Sequence, residues 1–211
     1  KKENKNYANF ITRLENFHER LDFLNINYAN HLYEIQGALI SNNQGLNYHL
    51  KTLTKGKKIR FTLDNSEPLP SSKIYTNSIL LEESVHVKAA LFNSGNKLGE
   101  TFSQYLNLHK AVGEKITIDT ELNESYSGSG AHGLINGISG SDSRYGDKEW
   151  LGFSGKDIEI TIDFNEKTQI NSIDTRFYNG HGQWIYAPRH LFVTFDNEEP
   201  LKVTILDSED L

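Results

Sequence analysis

The sequence predicts a mainly β protein, with two antiparallel sandwiches in series behind an N-terminal helical segment. Three observations lead there. Apolar residues recur at spacings of three and four only near the start of the chain. From Ile59 onward they alternate with polar residues, in short runs stopped by Asn, Asp, Gly or Pro. The length, 211 residues, suits one large domain or two small ones.

The helical segment comes first. Tyr7, Phe10, Ile11, Leu14, Phe17, Leu21 and Leu24 form one stripe, and Arg13, Glu15, Glu19, Arg20 and Asp22 fall between them. Asn25–Asn27 ends this stretch, and Tyr28–Ile35 is expected to add another turn or two. A single helix cannot bury such a stripe alone. It must pack on later parts of the chain or on protein upstream of it.

Strand signals begin after the loop Ser41–Gly45. Ile59, Phe61 and Leu63 alternate and stop at Asp64-Asn65; Val85, Val87, Ala89 and Leu91 alternate and stop at Asn93-Ser94-Gly95. Thr101–Leu108 follows as a further strand, and Pro68, Pro70, Ser71 and Ser72 supply turns. This spacing predicts a small antiparallel sandwich. Lys110–Lys115 reads as a connector. A second strand-rich region then holds Ile116 and Ile118, the run Ile158–Phe164, and the segments Ile170–Tyr178, Leu191–Phe195 and Leu201–Leu206. Within it lies a long Gly/Ser-rich stretch, Tyr126–Gly155, whose length marks it as a functional loop or as hidden structure.

Composition excludes several classes of function. The net charge is −6, with no basic stripe to displace counterions, so neither a nucleic acid nor an anionic membrane is expected as a partner. There is no cysteine, hence no disulfide, thiolate zinc site or cysteine nucleophile. No apolar run approaches a membrane span and no signal peptide is evident. The chain opens on Lys1 rather than Met, which reads as a fragment or a processed product.

The motifs are mostly negative. Gly128–Gly133 fits G-x-G-x-x-G, but no helical pattern follows and no βαβ unit surrounds it, so it reads as a loop. The eight histidines have no metal-ligand spacing. Asp142, Asp147 and Glu149 lie on one loop rather than on two sides of a substrate, which reads as a solvated loop and not as an acid/base pair. Aromatic residues near loops are more informative. Sugars present flat C–H faces to aromatic rings and hydroxyls to planar polar groups. Arg144, Tyr145, Trp184, Tyr186 and Arg189 are therefore candidate carbohydrate-binding residues. Trp150 and Trp184 are the only tryptophans; the ordinary expectation for both is core, whereas Tyr145 and Tyr186 are expected to face solvent. Asn136, Ser141 and Asp142 offer hard oxygen donors in one turn-rich segment, a candidate site for a structural calcium ion. No cofactor is required.

Phe61-Thr62-Leu63-Asp64-Asn65-Ser66-Glu67-Pro68, Ser71–Thr76 and Val87-Lys88-Ala89 resemble the C-terminal Ig-like domain of chitobiases and hexosaminidases. Asn65 stands where that pattern has Gly. Leu134–Gly137, Gly140-Ser141, Trp150–Phe153, Ile160–Phe164 and Trp184–Pro188 resemble a discoidin, or coagulation-factor 5/8 type C, domain of the galactose-binding-like jelly-roll fold. Relatives often have Asp-Gly at Asn136-Gly137, which weakens the carried-over calcium ligand. The start, Phe10–Leu21 with Asn27-Tyr28, is similar to the last helix of a family 20 glycoside hydrolase barrel.

The resemblance implies three parts: residues 1–40, the helical end of an upstream catalytic barrel; 41–110, the Ig-like domain; and 111–211, a discoidin-like domain shorter than the fold usually requires. This order is common in Bacteroidetes-type β-N-acetylhexosaminidases. It implies a periplasmic or extracellular parent enzyme that releases terminal N-acetylhexosamine. The expected partners are N-acetylhexosamine- or galactose-type glycans and the upstream barrel of the same polypeptide. Family 20 enzymes act through an Asp-Glu pair, and no Asp here is followed by Glu. The chain itself is therefore expected to be a non-catalytic accessory region; purely structural sandwich modules bracing the barrel are the alternative.

Overall fold

The structure, a computed structural model, describes residues 6–42, 45–196 and 198–205. Two compact units divide it. The first runs to Lys115 and includes Ile135–Ile138; the second holds Ile116–Leu134 and the chain from Ser139 onward.

Helix α1 (Tyr7–Phe23) opens the first unit. The Asn9 N–H donates to Asn6 Oδ1 at 2.9 Å, which satisfies one of the open donors of the first turn. One face of the helix is committed: Ile11 and His18 are buried and Leu14 packs against the core. The His18 ring lies 4.2 Å from that of Tyr28 and 5.7 Å from that of Tyr33, and Lys57 Nζ reaches Glu15 Oε1 at 2.5 Å. The adjoining stripe of Tyr7, Phe10, Phe17 and Leu24 remains exposed. The expected extension over 28–35 is replaced by a single 3-10 turn, His31–Tyr33. Leu32 and Tyr33 are drawn into the core there, and the chain leaves as a strand.

Strand structure also begins earlier than the alternation suggests. β1 (Ile35–Asn42) and β2 (Gly45–Thr52) pair antiparallel, Ile35 opposite Thr52 and Asn42 opposite Gly45. Two features hide this hairpin in the sequence. Asn47 looks like a loop residue, yet it is buried, donating to Gly45 O (3.1 Å) and Asn42 Oδ1 (3.3 Å) and accepting from Ser78 Oγ (3.1 Å). Gly37 breaks the apolar pattern of β1 because the Tyr48 ring occupies the space above it; a Cβ on Gly37 would lie 2.0 Å from Tyr48 Oη.

The remaining strands of this unit are β3 (Lys58–Thr62), β4 (Lys73–Ile74), β5 (Ile79–Leu81), β6 (Val85–Asn93) and β7 (Asn96–Leu106). They form two antiparallel sheets, ordered β1-β2-β5 and β4-β3-β6-β7. One apolar cluster joins them: Ile35, Tyr48, Leu50, Ile79 and Leu81 from the first sheet, and Ile59, Phe61, Val87, Ala89, Leu91 and Leu106 from the second. That is the sandwich expected from the spacing. β6 is its central strand, held by β3 on one side and β7 on the other. The register with β7 shifts between Ala89 and Leu91, so Gly99–Thr101 bulge out of the ladder opposite Ala90.

The second unit has less regular structure. β8 (Lys115–Ile118) and β9 (Ile160–Asp163) form one two-stranded sheet; β10 (His190–Val193) and β11 (Leu201–Thr204) pair antiparallel in another. Ile116 is buried, whereas β9, β10 and β11 are largely exposed. Residues 170–178, expected as a strand, form none; their side chains are fixed by the preceding loop instead, as described below. The long 126–155 stretch follows a 3-10 turn at Glu124–Tyr126 and holds another at Ala131–Leu134. No helix among the described residues is long and apolar enough to cross a membrane.

Two outcomes follow. Leu91 is fully buried, so Leu91→Ala should cost about 2–5 kcal/mol in urea unfolding, while Leu80→Ala on the exposed side of β5 should be nearly silent. Burial, helped by Asp22, pushes the Tyr28 hydroxyl up to about 12, and burial also raises Tyr33 and Tyr48. These groups fold as neutral phenols. Their contribution is complete below the ordinary tyrosine value of about 10 and is lost as pH rises through the folded values. The helical circular-dichroism signal should therefore fall from about pH 10 upward, and a Tyr28→Phe variant should hold it to higher pH.

Candidate functional site

The most recognisable stretch of the sequence, Phe61–Thr76, is assembled as structure. Asp64 Oδ1 accepts from the Ser66 N–H (3.1 Å) and Oγ (2.6 Å), closing a tight turn with Asn65 at φ 65°. The two Ser66 bonds hold the Asp64 carboxyl below its ordinary range. Glu67 receives Lys88 Nζ and Thr101 Oγ1, each at 2.8 Å, from two different strands. The Lys88 bond first, then Thr101, lowers its pKa in the same way. Arg60 donates to Ser72 O at 2.5 Å, and the Leu50 N–H donates to Tyr75 Oη at 3.1 Å, linking the two sheets. Thr62, Asp64, Ser66, Glu67, Ser72 and Tyr75 each close a turn or tie strands together.

The chemistry-bearing side chains of the second unit gather on two loops. The first is the 140–150 loop, built around Trp150. Its ring lies flat on Gly140, where a Cβ would sit 2.4 Å from Nε1, and Nε1 donates to Ser141 O at 3.1 Å. The Arg176 guanidinium stacks over the ring at 5.4 Å, donates to Gly140 O at 3.0 Å and pairs with Asp142. Tyr178 meets the Trp150 ring edge-on at 5.6 Å and the Tyr145 ring at 5.9 Å. Asp147 accepts the Ser141 N–H at 2.9 Å and pairs with Arg144, and the Ser141 bond is the main cause of its lowered pKa. That stabilisation is present above the ordinary carboxylate value and is lost as pH falls through the lowered one.

The second loop runs from Tyr178 to Arg189. Gly180 and Ile185 exchange backbone hydrogen bonds at 2.9 and 3.1 Å, and His181–Gln183 make a 3-10 turn between them. Trp184 ends that turn at φ 60°, a left-handed conformation uncommon for a bulky residue. Its indole is 85% exposed, which overturns the ordinary expectation of core. Tyr186 is 61% exposed and its ring lies 4.9 Å from that of His181. A left-handed tryptophan in solvent is a site of stored backbone strain.

Tyr145 and Tyr186 lie at the surface as the sequence predicts, and Trp184 joins them there against the expectation of core. Tyr178 links the two loops: Tyr145 touches its ring, and the turn bearing Trp184 and Tyr186 starts two residues later. Arg144 is engaged by Asp147, and Arg189 is exposed with its carbonyl accepting from the Ile205 N–H at 3.0 Å. The calcium donors are otherwise occupied. Asn136 Oδ1 accepts the Ile138 N–H at 2.9 Å, Ser141 bonds Ser143, and Asp142 faces a guanidinium that would repel a cation. Among the described residues, no group of three or more His, Asp or Glu suited to a metal occurs. His181, Arg176 and Tyr178 were missed. Arg176 carries the one visible signal, the lone guanidinium of 170–178 directly before Phe177-Tyr178.

The family model of the chitobiase/beta-hexosaminidase C-terminal domain matches residues 41–103, from the end of β1 into the bulged strand β7. Over these residues the chain is similar to an accessory domain of hexosaminidases. No curated protein matches the chain.

Arg176→Ala should release Trp150 from its stack. In a Trp184→Phe background, where Trp150 is the sole indole, its emission should shift to the red, while the unfolding midpoint of the first unit stays put.

Proposed function

We propose that this chain is a non-catalytic accessory region of a β-N-acetylhexosaminidase acting on terminal N-acetylhexosamine residues of glycans. The match of residues 41–103 to the hexosaminidase C-terminal domain carries this reading. The resemblance of residues 134–188 to discoidin-like domains and the missing Asp-Glu pair agree with it. The parent is a periplasmic or extracellular enzyme in this reading. Its catalytic barrel docks on the exposed stripe of Tyr7, Phe10, Phe17 and Leu24, which a lone helix leaves uncovered.

The aromatic loop supplies the glycan contact. Trp184 offers one exposed ring face, and Tyr186 with His181 offers a second. Apolar C–H faces of N-acetylhexosamine or galactose stack on such rings, and Arg144 and Arg189 are the candidate donors to hydroxyls. Tethered binding of this kind raises glycan concentration near a catalytic domain without adding any contact to it. The first sandwich acts as a spacer, in keeping with a recognisable stretch whose Asp64, Ser66, Glu67 and Tyr75 are spent on structure.

Calorimetric titration of the chain with N-acetylglucosamine and galactose oligosaccharides tests this. Trp184→Ala with Tyr186→Ala should weaken binding at least about tenfold, equivalent to about 1.4 kcal/mol, with an unchanged unfolding midpoint. A folded wild-type chain that binds neither sugar would leave only the bracing role.

A further inference from the structure

The second unit contains an open cleft of about 280 Å³ whose lining includes Thr120, Glu121, Asn123, Phe153, Ser154 and Lys156, and no residue of the aromatic loop. Its walls are tied in place. On one side the Asp119 N–H donates to Glu159 O at 3.1 Å, and Asp119 Oδ1 accepts the Glu159 N–H at 2.8 Å. On the other, the Gly152 N–H donates to Tyr126 O at 2.9 Å, and Asn123 Oδ1 accepts the Ser125 N–H at 2.9 Å, leaving the Asn123 amide nitrogen outside that bond. Glu121 and Lys156 are exposed, and neither forms an ion pair among the described residues.

This lining combines a half-buried aromatic ring, one carboxylate acceptor, one ammonium donor, an amide and two hydroxyls. A lone carboxylate beside an ammonium is a poor cation site, and a single lysine beside a carboxylate is a poor phosphate site. The polar rim does not suit a lipid. A pyranose does suit it: its C–H face meets the Phe153 ring, Glu121 accepts from hydroxyls, and Asn123 and Lys156 donate to them. The volume falls just under the usual range for ligand pockets, about 300–1,000 Å³, which favours one sugar ring over an oligosaccharide. We propose that this cleft is a second saccharide subsite, separate from the Trp184 loop, that holds a single pyranose ring. It rests on the glycan-binding reading for the class of ligand but on none of the same side chains.

Amide and indole resonances of the isotope-labelled chain, followed during separate titrations with N-acetylglucosamine, galactose and glycine, test the two sites apart. The expected result is a saturable shift at Glu121, Asn123, Ser154 and Lys156 with at least one of the sugars, with a Kd in the millimolar range. Glu121→Gln and Lys156→Ala are exposed, conservative for the fold, and should each weaken that Kd about fivefold without altering any response of the Trp184 indole. Phe153→Leu should weaken it too, keeping the volume but losing the ring face. No shift at these amides with either sugar up to about 50 mM, a shift with glycine alone, or a Kd unchanged in both charge variants would overturn the subsite. A Trp184 response with a silent cleft removes this subsite only; a cleft response with a silent Trp184 sustains it and removes the aromatic-loop site.

Discussion

The first unit depends on the burial of strand β6. Its side chains at Val87, Ala89, Ala90 and Leu91 are inaccessible to solvent, and its neighbours β3 and β7 satisfy its backbone on both sides. A strand buried this deeply stays in place only if the opposing sheet fills the space above it without gaps. Tyr48 does much of that filling. Its ring is buried on β2 and passes over the bare backbone of Gly37 on β1, so the strand pair that looks weakest in the sequence is the one shaped to admit the largest side chain. Helix α1 is then an addition to a finished core. It contributes Ile11 and His18 to one edge and keeps a second apolar stripe uncovered.

This explains which parts of the fold were legible. β3 alternates cleanly because one residue in two meets the core, and β6 does so over Val85–Ala89 before burying both faces, so period-two reading finds them. β1 and β2 escape it. Gly37 is there for Tyr48, and Asn47 is a buried polar residue whose hydrogen bonds are all internal, so both look like loop in a linear reading. The helix was legible from its stripe and its end from Asn25–Asn27, but the fate of 28–35 was not: Leu32 and Tyr33 are claimed by a core that only the folded chain assembles. The Phe61–Thr76 stretch was recognisable for a different reason. Asp64, Glu67, Arg60 and Tyr75 each make a specific bond that a substitute of another shape would lose, so a structural stretch carries a signature as distinct as a catalytic one.

The second unit follows another logic. Its short ladders leave much apolar surface in contact with solvent, and its order comes from side-chain clusters instead. Trp150, lying on Gly140 and covered by Arg176, is the main one. Arg176 simultaneously holds a carbonyl and a carboxylate of the same loop, so a single residue from 170–178 orders the 140–150 segment. Sequence periodicity has no access to such an arrangement, because the partners are separated by more than thirty positions and obey no repeat. The site was legible only as residue types: aromatic rings and arginines close together in the chain. Which rings face solvent and which arginine is spent on structure are facts of packing.

That division of labour bears on what the exposed rings can do. A ring in solvent binds a sugar well only if little freedom is lost when the ligand arrives. Trp184 has its backbone fixed by the Gly180–Ile185 hydrogen bonds and by a left-handed conformation that the turn imposes. Tyr186 leans on His181, and Tyr178 ties the start of the loop to the Trp150 cluster. The rings are therefore presented by a supported turn and not by a free strand of polypeptide. Strain at Trp184 has no return in core packing, since its indole buries almost nothing. A backbone strained to hold an indole outward, on a loop secured from below, draws no compensation from packing of that indole.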